Sequence, residues 1–274
     1  MKTNLLPTTL LAVGVAALAL APFTPAQASL AQYQNQSYAN DFSSGTESGW
    51  THLSIFAMSS GQTWNAGTGA YQLTALANGY TTYGFAGSVV TGNTITDGFV
   101  QADILAQQGS GAYGGWGLAT RIQPTTIGIP LGLQGYALVY EPYGNSGLGD
   151  LRIQRLGPPS TFNSVGSAAN ISLTPGASYT MTLETTGSSL VGSLWAQGQV
   201  GTSLIAQVTG TDAVYGSGLN GVFVITSGLV APSVGNTFDN YLVMVPEPGT
   251  GTLLGLGLVG FLARRRLARG ASGR

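Results

Sequence analysis

Across 274 residues the chain holds nine Lys and Arg, ten Asp and Glu and no cysteine, so only 7% of it is charged, against roughly 25% in ordinary soluble domains. Six of the nine cations lie at the two ends (Lys2, Arg264, Arg265, Arg266, Arg269 and Arg274), which leaves the stretch between residues 29 and 245 with Arg121, Arg152 and Arg155 against nine acids, a net charge of −6. Such a body cannot release counterions from a polyanion, which excludes nucleic acid and an anionic lipid surface as its partners; without cysteine it has no disulfide staples either.

Residues 1–28 have the order of an export signal. Lys2 precedes an apolar stretch of about 12 residues, Leu10 to Ala21; Pro22 and Pro25 end it, and Ala26-Gln27-Ala28 places small residues where a signal peptidase needs them. Cleavage is expected after Ala28. The apolar stretch falls short of the ~20 residues that a permanent span needs. Residues 29–40 are expected to form a linker.

From residue 41 to 244 the pattern is that of an all-β domain. Tyr179-Thr180-Met181-Thr182-Leu183-Glu184-Thr185 alternates, with Tyr, Met and Leu on one face and Thr, Thr and Glu on the other. Shorter runs of strand character are 100–104, 116–122, 136–140, 151–156, 190–195, 204–208, 222–225 and 238–243. Turn chemistry separates them, as in Gly144-Asn145-Ser146-Gly147, Gly157-Pro158-Pro159 and Pro175-Gly176. No stretch of this body sustains a 3.6-residue period with caps. Many short strands without helices imply two packed sheets or a closed barrel.

The chain then changes character. Val245-Pro246-Glu247-Pro248 leads into a Gly- and Leu-rich segment of about 15 residues, Gly249 to Ala263, closed by Arg264-Arg265-Arg266. Extending it backwards would draw Glu247 and two prolines into hydrocarbon, so a short, transient transmembrane helix within 245–269 is expected. Basic residues flanking a span stay cytoplasmic, which puts the arginines and the tail 270–274 inside and the body outside. A proline-flanked acid, a short apolar segment and an arginine cluster together resemble the PEP-CTERM sorting signal. That resemblance implies an inner-membrane-anchored precursor, processing by an exosortase-type transpeptidase, and delivery to the cell surface or extracellular matrix of a Gram-negative bacterium.

A second resemblance concerns the body. Asp41-Phe42-Ser43, Trp50, Trp64 and Gly69-Ala70-Tyr71-Gln72-Leu73 are followed by Gly115-Trp116-Gly117-Leu118, Gly135-Tyr136-Ala137-Leu138 and Leu151-Arg152-Ile153-Gln154-Arg155-Leu156. Tyr179-Thr180-Met181-Thr182-Leu183, Gly187-Ser188-Ser189-Leu190-Val191-Gly192-Ser193-Leu194-Trp195 and Phe238-Asp239-Asn240-Tyr241 close the order. This series resembles the concanavalin A-like lectin/glucanase domains, laminin-G-like domains among them. It implies an antiparallel jelly-roll β-sandwich over 41–244, in which a first-strand Phe and the last-strand Phe-Asp-Asn-Tyr pair near the termini.

Three chemistries deserve comparison. Glycoside hydrolysis needs two carboxylates across the scissile bond; the glucanases of the resembled fold carry Glu-x-Asp-x-x-Glu on one strand, a spacing absent here, and Glu141 and Glu184 each stand alone in sequence. Calcium, which takes six to eight oxygens, has Asp150 and Asp239 as candidate ligands; the alternative is that Asp150 opens a strand and Asp239 pairs at a sheet rim. His52 is the single histidine, so neither a histidine zinc site nor a Ser-His-Asp triad has its members. Aromatic faces stack on sugar rings, and Tyr113 and Tyr143, in glycine-rich loops, are the candidate carbohydrate contacts. The expected role is a non-catalytic carbohydrate- or exopolysaccharide-binding module without an obligatory cofactor. The alternative is a hydrolase with a dispersed carboxylate pair, and an outer-membrane barrel ranks third.

Overall fold

A computed structural model describes residues 33–53, 62–67, 69–76, 83–105, 114–127, 133–142, 148–157, 162–227 and 233–246. Its strands are β1 (Tyr33–Asn40), β2 (Trp50–Leu53), β3 (Thr63–Asn65), β4 (Tyr71–Leu76), β5 (Tyr83–Val90), β6 (Gly98–Leu105), β7 (Gly114–Ile122) and β8 (Gly135–Pro142). They continue with β9 (Leu148–Leu156), β10 (Phe162–Ser172), β11 (Tyr179–Thr186), β12 (Ser189–Ala196), β13 (Leu204–Thr211), β14 (Leu219–Ser227) and β15 (Ser233–Pro246). One 3₁₀ turn, Pro124–Thr126, follows β7.

The strands form two antiparallel sheets that pack face to face instead of closing into a single barrel. One runs β13-β12-β11-β6-β15-β4-β3, with β1 also on β15; the other runs β10-β9-β8-β7-β14-β5-β2. β15 is the spine of the first sheet: β6 pairs along one side, while β4 takes residues 233–238 and β1 takes 241–246 on the other. All nine sequence-predicted runs fall within strands.

Residues 33–40 correct one expectation. They are not a linker but β1, a full strand of the sheet, and the body also extends two residues further than expected, to Pro246. The reason is long-range pairing: Tyr-Gln-Asn-Gln-Ser-Tyr-Ala-Asn has little apolar alternation of its own and becomes a strand because β15 offers it a ladder.

Between the sheets lies the main core, into which β8 sends Tyr136, Leu138 and Tyr140 and β9 sends Leu151 and Ile153. Aromatic packing ties the ends of the body together there. Phe42 stacks on Tyr71 with centroids 5.1 Å apart, and Trp50 meets Tyr241 edge-on at 4.8 Å. Alternate residues of the seven-stranded sheet form a second buried cluster on its other face, including Ala137, Val139, Phe85, Phe223 and Ile225. That sheet is therefore apolar on both sides through its centre, which explains the near-continuous burial along β7.

Close approach of β7 to β8 depends on a missing side chain. A Cβ at Gly117 would run into the Leu138 carbonyl oxygen and crowd the Val139 backbone. Gly117→Ala is expected to push the two strands apart at a loss of roughly 1–3 kcal/mol, read as a lower denaturant midpoint; an unchanged midpoint would contradict the packing.

Candidate functional site

The β8–β9 hairpin gathers three charges on the outer face of the seven-stranded sheet. Because β8 alternates, Glu141 shares the outward face of Ala137 and Val139, and in β9 Asp150, Arg152 and Gln154 alternate with the inward Leu151 and Ile153. The register sets Glu141 opposite Asp150 and Val139 opposite Arg152. Arg152 then bridges both acids, with Nη1 2.7 Å from Glu141 Oε2 and Nη2 2.6 Å from Asp150 Oδ2.

The cluster lies where the buried centre of the sheet gives way to solvent. The side chains of Glu141 and Arg152 are 29% and 34% exposed, whereas that of Asp150 is 8% exposed. Burial pushes the Glu141 carboxyl above the ordinary range; the Arg152 charge opposes that rise and the Asp150 charge adds to it. Gly115 borders the group, and a Cβ there would press on the Glu141 side chain and the Tyr140 carbonyl. The site thus offers two carboxylates and one guanidinium, packed against the buried backbone of Gly115. Such a set donates and accepts several hydrogen bonds in fixed directions.

Tyr113 and Tyr143 lie outside the described residues. In sequence, though, Tyr113 directly precedes Gly114, the first residue of β7, and Tyr143 directly follows Pro142, the last of β8. Trp50, Trp116 and Tyr140 are buried in the core and present no face to a ligand.

Asp239 lies on the other sheet. It is the ladder partner of Asp103, which is buried and accepts hydrogen bonds from Thr180 Oγ1 at 2.5 Å and Asn240 Nδ2 at 2.9 Å. Burial raises the Asp239 carboxyl; the Asn240 backbone N–H opposes this and the charges of Asp103 and Asp41 add to it. An open cleft of about 460 Å³ lies alongside, lined by Asn40, Asp41, Gln101 and Asn240. Neither Asp150 nor Asp239 belongs to a metal-sized cluster, since among the described residues no three His, Cys, Asp or Glu side chains converge. Asp150 instead spends one oxygen on Arg152.

Glu184 cannot partner Glu141 in hydrolysis. It sits on β11 of the opposite sheet, where it accepts a hydrogen bond from the Tyr33 hydroxyl at 3.2 Å. His52 is structural: its ring stacks on Trp64 at 4.5 Å and its Nε2 lies 2.6 Å from Glu47 Oε2. It thereby joins β2 and β3, the edge strands of the two sheets.

Arg152 is the member of the cluster that the sequence does not single out, since it stands there as one of the three cations of the body. A signal was present: charges at 150 and 152 alternate with Leu151 and Ile153, and counting outwards from the Gly144–Gly147 turn sets 141 against 150.

The final strand reaches Pro246, and the residues that follow carry the proline-flanked acid, the apolar segment and the arginines. Residues 245–266 match the family model of the PEP-CTERM protein-sorting motif. The chain therefore carries a PEP-CTERM sorting motif at its C-terminal end. The motif implies export, a precursor anchored in the membrane by its C-terminal segment, and processing by an exosortase. Of the predicted signal residues, Val245 and Pro246 lie in β15, whereas Glu247, Pro248, Arg264, Arg265 and Arg266 fall outside the described residues, as do Ala26 and Ala28 of the expected leader.

Among solved structures, a Bacillus subtilis protein of unknown function with a galectin-like fold is similar at 14% identity and a TM-score of 0.52, covering 77% of this chain and 96% of that one. Lectin II from Ulex europaeus is 9% identical at a TM-score of 0.52, covering 77% of this chain and 99% of that one. A GlcNAcα1-4Gal-releasing endo-β-galactosidase from Clostridium perfringens is 12% identical at 0.52, covering 84% of this chain and 66% of that one. At such identities the likeness shows the lectin-like sandwich, and a fold shared by lectins and a glycosidase does not choose between them. Comparison with curated protein sequences finds no match.

Proposed function

We propose that this protein, which carries a PEP-CTERM sorting motif, is a non-catalytic carbohydrate-binding component of the bacterial cell surface or extracellular matrix, handled in its precursor form by signal peptidase and an exosortase-type transpeptidase. The binding face is the Glu141–Arg152–Asp150 cluster, with Tyr113 and Tyr143 supplying ring-stacking surface from the adjoining loops. One observation carries this reading: a single guanidinium holds two carboxylates on the outer face of the sheet. Charged groups fixed by one another lose little freedom on meeting a ligand, and sugar hydroxyls take both donors and acceptors.

The hydrolase reading has one point in its favour, a raised Glu141 carboxyl directly opposite Asp150. Arg152 weighs against it, because a cation on both acids stabilises their ionised forms and opposes the proton that a general acid must hold. Incubating the exported protein with a panel of polysaccharides, with and without calcium, separates the readings. Retention without new reducing ends supports binding, and product formation lost in Glu141→Gln overturns it. Affinity that a chelator removes would restore calcium as a partner.

Sorting has its own test. Replacing Pro246-Glu247-Pro248 with alanines is expected to leave unshortened precursor in the inner-membrane fraction, detected by immunoblot; shortening at the normal rate would refute the signal.

A further inference from the structure

The two ends of the body meet in one ladder. Tyr33 pairs with Pro246 and Asn35 with Val245, while Val243 and Met244 pair on the opposite side with Val100 and Phe99 of β6. Val245 and Pro246 are also the first two residues of the sorting motif. The motif therefore begins inside the folded sheet, not in a spacer beyond it. Only Glu247 and Pro248 separate that sheet from the apolar segment at Gly249, a reach of roughly 10 Å at ~3.3–3.6 Å per residue.

The last rung depends on a side chain. Pro246 has no N–H to donate to the ladder, and the β1–β15 register is irregular between Tyr33 and Asn35. Tyr33 holds the rung instead. It is 3% exposed, its ring packs against Phe99 with centroids 5.8 Å apart, and its hydroxyl lies 3.2 Å from Glu184 Oε1 and 3.0 Å from Thr186 Oγ1. β1 is thereby pinned to β6 and β11 across the end of β15.

An enzyme that takes a peptide in an extended groove needs the same backbone edges that a sheet ladder uses. Strand ends open locally at a small fraction of the global unfolding free energy. We propose that β1 is a latch on the sorting motif: the processing enzyme engages residues 245 and 246 only when they have parted from 33 and 35, and Tyr33 sets how often that happens. The proposal rests on the sorting reading of 245–266. It makes Tyr33 a positioning residue for a reaction whose recognition signal lies over 200 positions away in sequence.

The test follows shortening of the full-length precursor by pulse-chase in an exosortase-bearing bacterial host. Four chains are compared: the unaltered chain, Tyr33→Ala, a Gly-Ser insertion of about eight residues between Met244 and Val245 that clears the sheet, and both changes together. The insertion and Tyr33→Ala are each expected to speed shortening roughly fivefold or more, the factor by which one net hydrogen bond shifts an equilibrium. In the inserted chain Tyr33→Ala should add nothing. An insertion that leaves the rate unchanged overturns the latch, and so does a Tyr33→Ala effect of equal size in both backgrounds, which would mark general loosening. An unaltered chain that is never shortened overturns the sorting reading itself, and the latch with it.

Discussion

Arg121→Met is expected to lower the unfolding free energy of the exported body by about 3–5 kcal/mol, the cost of breaking a buried charged network from one side. Arg121 is completely buried near the end of β7, in the left-handed backbone region at φ 51°. Its Nε donates to the Thr96 carbonyl at 2.9 Å, and its Nη1 donates to the carbonyls of Gly187 at 2.8 Å and Tyr215 at 3.0 Å. Its Nη2 faces Asp97 Oδ1 at 3.3 Å, and that same oxygen accepts the Gly187 N–H at 2.8 Å. One side chain of the seven-stranded sheet thus fastens the entry to β6 and the β11–β12 turn of the other sheet, together with the approach to β14. Methionine keeps much of the apolar stem and supplies no donor, so three carbonyl oxygens lose their partner at about 1–3 kcal/mol each where water cannot replace it. Part of that cost is returned because no guanidinium has to be desolvated. At ~2–4 °C per kcal/mol for a domain of this size, the thermal midpoint should fall by about 10 °C. Lysine restores the charge but not the fork and should recover less than half of the loss. A methionine variant that melts within a degree or two of the parent would contradict this role.

The second large effect concerns binding. Arg152→Met should weaken retention on a bound polysaccharide by about tenfold to a hundredfold, since a hydrogen bond to a charged group is worth roughly 1.5–3 kcal/mol. The variant also leaves Glu141 and Asp150 directly opposed without a cation, and like charges across a ladder repel. One of the two carboxyls should then take up a proton at higher pH than before. In the parent protein burial already places Glu141 above the ordinary carboxylate range. As pH falls through that raised value Glu141 becomes neutral, so affinity should decline earlier on acidification than an unperturbed glutamate would give. Stability runs the other way at this group. A carboxyl whose folded value is raised favours the fold when protonated, and that contribution is lost as pH rises through the folded value. Titrating affinity and melting temperature in parallel should show opposite slopes, both absent in Glu141→Gln; slopes of the same sign would contradict the assignment.

Much of the architecture was legible because it is local. Tyr179–Thr185 announces a half-polar strand by strict alternation, and β11 spans it. The polar strands were not legible. β1 is Tyr-Gln-Asn-Gln-Ser-Tyr-Ala-Asn, and β10, Phe162–Ser172, is an edge strand rich in Ser, Asn and Ala whose residues are mostly half-buried or exposed. Neither shows a periodic apolar face, because each is held by a neighbour's ladder more than by its own burial. The candidate site divides in the same way. In the sequence Asp150 reads as a possible calcium ligand and Glu141 as a lone acid. Their meeting across Arg152 needed the β8–β9 register.

By itself the sequence determined the all-β class, the acidic and cation-poor body and the sorting segment, since alternation, composition and a short linear motif are properties of neighbouring residues. Only the tertiary structure decided that β1 closes on the first residues of that motif, that Arg121 bridges the sheets, and that Glu141 and Glu184 lie on opposite sheets while Glu141 and Asp150 face each other. Those facts depend on register and on which strands become neighbours. Both are set by side chains far apart in the chain burying one another in a common core, and no local window of residues records them.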